Sequence, residues 1–130
     1  MKTQYIKIDE YGNKYYYSDA AMKILHRIDG PAIEFADGYK AWHVNDKLHR
    51  LDGPAIEHSS GYKEWWVDGK IHRLDGPAIE YTDGNNLWYI DGKYLSEKEF
   101  IRLTAKEIVL TMEQIAAKFG ISVEQLKITK

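Results

Sequence analysis

An imidazole, a guanidinium and a carboxylate stand side by side at His26-Arg27-Ile28-Asp29, a combination that could activate a phosphate ester or hold a metal ion. The trio returns at His49-Arg50-Leu51-Asp52 and at His72-Arg73-Leu74-Asp75, each time running on into Gly-Pro-Ala-Ile-Glu. The copies recur every 23 residues without a gap, and they hold all three prolines and three of the four arginines. An active site is a single constellation, so recurrence at constant spacing points to architecture. Asp29, Asp52 and Asp75 lead straight into Gly-Pro, where an Asp side chain commonly caps its own turn. Arg27, Arg50 and Arg73 are placed to pair with Glu34, Glu57 and Glu80 or to stack on aromatic rings. The chemistry left to the motif is a ladder of Arg and His holding an extended anion. His43 and His58 have no counterpart in the other copies and read as surface residues. Neither a glycine-rich phosphate loop, a Gly-x-Ser-x-Gly elbow nor His-Glu-x-x-His occurs, and cysteine is absent. No cofactor and no metal site are implied, and the chain is expected not to be an enzyme.

The elements that carry the motif read as β structure. Asp37-Gly38, Ser60-Gly61 and Asp83-Gly84 separate short alternating runs, and Asp-Gly supplies the positive φ of a tight hairpin turn. A second turn follows at Asn45-Asp46, Asp68-Gly69 and Asp91-Gly92, and Asp-Gly-Pro makes a third reversal. Two-residue turns fix the register, so that Ile33, Ile56 and Ile79 are expected to face Trp42, Trp65 and Trp88. Around the second turn, Trp42 faces His49 and Trp65 faces His72. One sheet face would then carry the unchanging Ile and Trp residues as the core. The other would carry the changing ones, Tyr39/Tyr62/Asn85, Ala41/Glu64/Leu87 and His43/Trp66/Tyr89. Tyr39, His43, Tyr62, Trp66 and Tyr89 are accordingly the expected partner-binding residues. A degraded first copy is visible in Gly12-Asn13-Lys14-Tyr15-Tyr16, set three residues further from its histidine than Gly38 is from His49. The expected units are residues 4–25, 26–48, 49–71 and 72–95, together a β-hairpin repeat ribbon over residues 1–95.

Trp66-Val67-Asp68-Gly69-Lys70-Ile71-His72, followed by a glycine turn and Tyr81-Thr82-Asp83-Gly84, resembles a MORN-type repeat. The unit His-Arg-x-Asp-Gly-Pro-Ala-x-Glu-(Tyr/Phe)-x-(Asp/Asn)-Gly is more similar to a variant found in small proteins of tailed phages and large viruses. The resemblance spans about residues 26–95. It implies an antiparallel ribbon of hairpins and roles in scaffolding, dimerisation and partner contact. Lipid binding is sometimes proposed for that family. Arg stands after His where the usual MORN pattern has Gly, and Asp-Gly-Pro is added.

From Leu95 onward the pattern changes. Residues 96–130 contain no Asp or Pro and a single Gly. Ser96…Glu99, Thr104…Glu107, Thr111…Gln114 and Ser122…Gln125 have capping-box spacing, which predicts two or three short helices. Met112, Ile115, Ala116 and Phe119 form one apolar stripe ending at Gly120. Met112 to Leu126 is similar to a helix-turn-helix, with Ala116 at the helix approach, Gly120 at the turn, and Ile115, Phe119, Ile121 and Leu126 inside. Six Lys+Arg against five Glu in residues 96–130 is not the basic footprint of a DNA reader. The segment reads as a helical cap over the ribbon's apolar face, with DNA reading as the alternative. Leu126-Lys127-Ile128-Thr129 also alternates like an edge strand.

The whole chain has 130 residues, 44% of them apolar and 29% charged, which describes a folded domain. Its net charge of −2 supplies no phosphate-driven affinity. No apolar run approaches the ~20 residues of a membrane span, and the N-terminal residues lack the apolar stretch of a secretory signal. A cytoplasmic location is expected, in the host cell if the chain is phage-encoded. Ten Tyr and four Trp in so short a chain suit contact anchors. The expected function is a non-enzymatic binding module, a phage-encoded accessory protein that engages or inhibits a host protein, including a host defence factor. The alternative is a DNA-binding regulator. No membrane contact is expected, and a homodimer is the other assembly open to it.

Overall fold

A computed structural model describes residues 2–119, and beyond Ala105 the side chains of Glu113, Gln114 and Ala117 alone. The protein is mainly β, with antiparallel sheets and a C-terminal helix. Chain contacts divide it into residues 1–95 and 96–130. The strands are β1 (Tyr5–Ile8), β2 (Lys14–Tyr17), β3 (Ile33–Glu34), β4 (Lys40–Ala41), β5 (His43–Val44), β6 (Lys47–Leu48) and β7 (Ile56–Glu57). They continue with β8 (Lys63–Glu64), β9 (Trp66–Val67), β10 (Lys70–Ile71), β11 (Ile79–Glu80), β12 (Asn86–Ile90) and β13 (Lys93–Leu95). One nine-stranded sheet runs β1-β2-β3-β4-β7-β8-β11-β12-β13, and β5-β6 and β9-β10 are separate hairpins.

Both kinds of hairpin turn form, with different lengths. Asn45/Asp46, Asp68/Gly69 and Asp91/Gly92 are two-residue turns in which both residues have positive φ, between 49° and 79°. They set the register Val44↔Lys47, Val67↔Lys70 and Ile90↔Lys93, so Trp42 does face His49, whose amide donates to the Trp42 carbonyl at 3.0 Å. Asn45-Asp46 makes this turn without a glycine, since Asn and Asp tolerate the left-handed region.

The first turn corrects the expected register. Phe35 N–H donates to Tyr39 O at 2.8 Å and Gly38 N–H to Phe35 O at 3.0 Å, with Gly38 at φ +97°. That is a three-residue loop whose glycine forms the bulge, a common alternative to the two-residue turn. The extra loop residue shifts the pairing by one, to Ile33↔Ala41 and Glu34↔Lys40. The other two copies do the same, with Ile56↔Glu64 and Ile79↔Leu87. A one-residue slip moves every side chain to the opposite face.

Ile and Trp therefore lie on opposite faces. One transverse row reads Tyr15, Ile33, Ala41, Ile56, Glu64, Ile79, Leu87. The parallel row on the other face reads Lys14, Glu34, Lys40, Glu57, Lys63, Glu80, Asn86, an alternation of charge from strand to strand. Backbone bonds Tyr16 N–Ala32 O, Trp42 N–Ala55 O and Trp65 N–Ala78 O, each 2.8 Å, extend that second face with alternating aromatic and alanine residues. Ala32, Ala55 and Ala78 are fully buried; a larger side chain there would meet the aromatic residues on both neighbouring strands. No large side chain among the described residues is completely buried. The core of residues 1–95 is thin, made of Ala and Ile with Leu95, and hydrogen-bonded laddering does much of the ordering.

Within the described residues the helical segment is one continuous helix, α1 (Glu97–Phe119), with no break at Thr104 or Thr111. Ser96 caps it, its hydroxyl accepting the Glu99 N–H at 3.2 Å. Thr104 lies inside the helix, and its hydroxyl turns back to donate to Phe100 O at 2.8 Å. With no Gly or Pro between residues 96 and 119, nothing forces the expected breaks at Thr104 and Thr111. The second helix, the turn at Gly120 and the strand-like Leu126–Thr129 lie outside the described residues, as do the side chains of Met112, Ile115 and Phe119.

Candidate functional site

The His-Arg-x-Asp motif is a structural clamp built three times. Arg27 Nε donates to Asp29 at 3.0 Å, and its Nη1 to Pro31 O at 3.1 Å and Glu34 at 2.9 Å. Arg50 makes the same three bonds to Asp52, Pro54 and Glu57, and Arg73 to Asp75, Pro77 and Glu80. Each guanidinium also lies over a ring: Arg27 on Tyr16 at 3.9 Å, Arg50 on Trp42 at 3.8 Å, Arg73 on Trp65 at 3.7 Å. Pairing and stacking occur together. Tyr16 takes the ring position of the degraded first copy, three residues further back in sequence than in the later units.

Gly30, Gly53 and Gly76 complete the clamp. None has positive φ. A Cβ there would sit 2.8–2.9 Å from the guanidinium carbon, so any side chain at these positions must displace the arginine from its place. Desolvation opposes the Arg27 charge, but its bonds to Asp29 and Glu34 raise its pKa above the ordinary value.

The histidines couple one unit to the next. His26, His49 and His72 each accept, through Nδ1, a turn N–H 19 residues ahead: Asn45, Asp68 and Asp91, at 3.0 Å. That bond places the proton of the neutral ring on Nε2. The Asp68 carboxylate, 3.3 Å from His49 Nδ1, is a neighbour rather than an ion-pair partner while that N–H occupies the nitrogen. All three side chains of the trio are thus engaged in holding the fold. Among the described residues no cluster of three His, Asp or Glu could hold a metal.

Open grooves of about 730 and 590 Å³ lie between successive clamps, edged by Ile28, Leu51 and Leu74. These three apolar side chains are exposed, Leu51 at 79%. The grooves repeat with the clamps.

The opposite face does not repeat. There Tyr62, Trp66, Leu87 and Tyr89 pack half-buried around Ile71 and Ile79, in a cluster that also touches the buried Ala78. The varied aromatics thus share a face with the constant isoleucines, which corrects their assignment to a face of their own. Tyr39 is also half-buried, its ring 5.1 Å from Phe35. His43 is half-buried with its Nδ1 enclosed and unpartnered among the described residues, and burial holds its pKa below the ordinary 6.5.

Compared with family models, curated proteins and solved structures, the chain matches none. Among the described residues no helix is long and apolar enough to cross a membrane.

Glu64 is the residue on this face that sequence reasoning passed over. It sits between Ile56 and Ile79, where the flanking units have Ala41 and Leu87. Its carboxylate accepts the Tyr62 hydroxyl and, at 2.6 Å, the Trp66 indole N–H. Tyr62 and Tyr39 are both raised above the ordinary tyrosine pKa, first by desolvation and then by the Glu64 charge. The signal was available in the aligned copies: one charge in a column otherwise held by Ala and Leu.

Proposed function

We propose that the protein is a non-enzymatic, MORN-like binding module that contacts another protein through the face bearing Tyr39, His43, Tyr62, Trp66 and Tyr89. One observation carries this reading. The three clamps are the same to within 0.2 Å in corresponding bonds, while His43, Trp66 and Tyr89 differ at one equivalent position. A scaffold that repeats its fastening on one face and changes residues on the other suits a partner that does not itself repeat. Half-buried aromatics held by neighbours bring contact area at low entropic cost. The resemblance to the phage-type repeat fits an accessory protein directed at a host factor. The test is photo-crosslinking in cells, with a benzophenone amino acid at Tyr39 or Tyr89 and, on the other face, at Lys40. A discrete protein adduct from the first two positions and none from Lys40 supports the assignment. Adducts from Lys40 alone, or equally from all three, overturn it.

A further inference from the structure

On the clamp face, Trp42 with Glu57 and Trp65 with Glu80 each receive a guanidinium of the chain's own: Arg50 over Trp42 and bonded to Glu57, Arg73 over Trp65 and bonded to Glu80. The varied face contains the same pair of acceptors in Trp66 and Glu64, bonded to each other at 2.6 Å. Here no Lys, Arg or His among the described residues forms an ion pair with the carboxylate, whereas Glu34, Glu57 and Glu80 all have one. Glu64 lies in an otherwise apolar row, between two isoleucines that are each 9% exposed. A carboxylate bonded to neutral donors alone breaks the pattern of that row, and such breaks in a local rule concentrate at functional sites. A carboxylate has about four acceptor positions, and Tyr62 and Trp66 occupy two. Tyr62 and Tyr81, with rings 5.3 Å apart, add further π surface beside it.

We infer that Glu64, Trp66 and Tyr62 form a receptor for an arginine side chain of the partner protein, a site that rests on the reading of this face as the contact surface. Arginine fits better than lysine because its planar guanidinium can stack on an indole and bond a carboxylate at once, as Arg50 does within this chain.

The site can be tested on the full chain with hexa-arginine as probe, following the indole N–H resonance of Trp66, assigned with Trp66→Phe. A saturable shift of that resonance is expected. Binding should weaken about tenfold or more in Glu64→Gln, the loss expected for a charge-assisted contact. Glu10→Gln, which removes an exposed charge elsewhere, should leave it unchanged. Hexacitrulline, the neutral isostere, should give no shift with the wild-type chain, which keeps the test sharp if Glu64→Gln folds poorly. Equal affinity for Glu64→Gln, or an equal response to hexacitrulline, overturns the arginine site. Shifts at Tyr39 and Tyr89 that persist in Glu64→Gln would leave the contact face standing while removing Glu64 from it. No shift at all refutes the arginine site and leaves the crosslinking result to decide the face.

Discussion

The two faces of the sheet solve different problems with similar residues. On the clamp face Trp42 and Trp65 have the same neighbourhood: alanine on both adjoining strands, a guanidinium above and a glycine behind it. On the varied face Trp66 sits among residues that change from unit to unit and shares its one polar bond with a carboxylate that has no cation of its own among the described residues. A shallow sheet with no large side chain fully buried cannot rest on a deep core. The comparison teaches that its stability comes from cation–π clamps and cross-unit hydrogen bonds on one side. That leaves the other side free to diverge.

The largest effect is expected on the clamp face. Trp65→Ala removes the ring under Arg73 from a mid-sheet position and should cost about 3–5 kcal/mol. Trp66→Ala, its immediate neighbour on the other face, should cost less, about 1–2 kcal/mol, for the packing lost against Ile71 and Ile79. Denaturant midpoints for the two variants check the order, and a reversed order would break the division of labour. Gly53→Ala should follow, at about 1–3 kcal/mol, because the new methyl meets the Arg50 guanidinium and pushes it off Trp42. In a double-mutant cycle its cost should largely vanish in an Arg50→Ala background. His49→Ala deprives the Asp68 N–H of its acceptor and should cost about 1 kcal/mol, measurable as faster amide exchange at Asp68.

The smallest effect is a pH dependence on the varied face. Burial holds the His43 pKa in the folded protein below its ordinary value of 6.5, so the unfolded chain binds the proton first. Its contribution to stability is therefore full above about pH 6.5 and declines as pH falls below that value. His43→Phe should flatten the acid limb of the stability profile relative to wild type. Parallel profiles for the two proteins would show that His43 is not buried as described.

The repeat, its strands, its second turn and the pairing and stacking of Arg were legible because they depend on local spacing, whereas Asp29, Asp52 and Asp75, expected to cap their own turns, accept from the arginine instead. The ring at Tyr16, recovered from a degraded copy, was legible too. The face assignment was not, because it hung on whether Asp37-Gly38 closes a two-residue or a three-residue loop. Both are compatible with an Asp-Gly pair, and the choice between them shifts the pairing by one. The unbroken course of α1 through Thr104 was misread for the related reason that capping-box spacing recurs inside helices, where Thr104 bonds back to Phe100 instead of starting a turn. Glu64 could be found only by asking which residue breaks its column.

The separation of the tryptophan row from the isoleucine row is the central claim, and nuclear Overhauser contacts test it most directly. The Ala55 methyl should show contacts to the rings of both Trp42 and Trp65 and an upfield ring-current shift. The Ile56 side chain should show contacts to residues of the Ala41 and Glu64 row and none to the Trp42 ring. Strong contacts between Trp42 and the side chains of Ile33 or Ile56 would put both rows on one face and contradict the account.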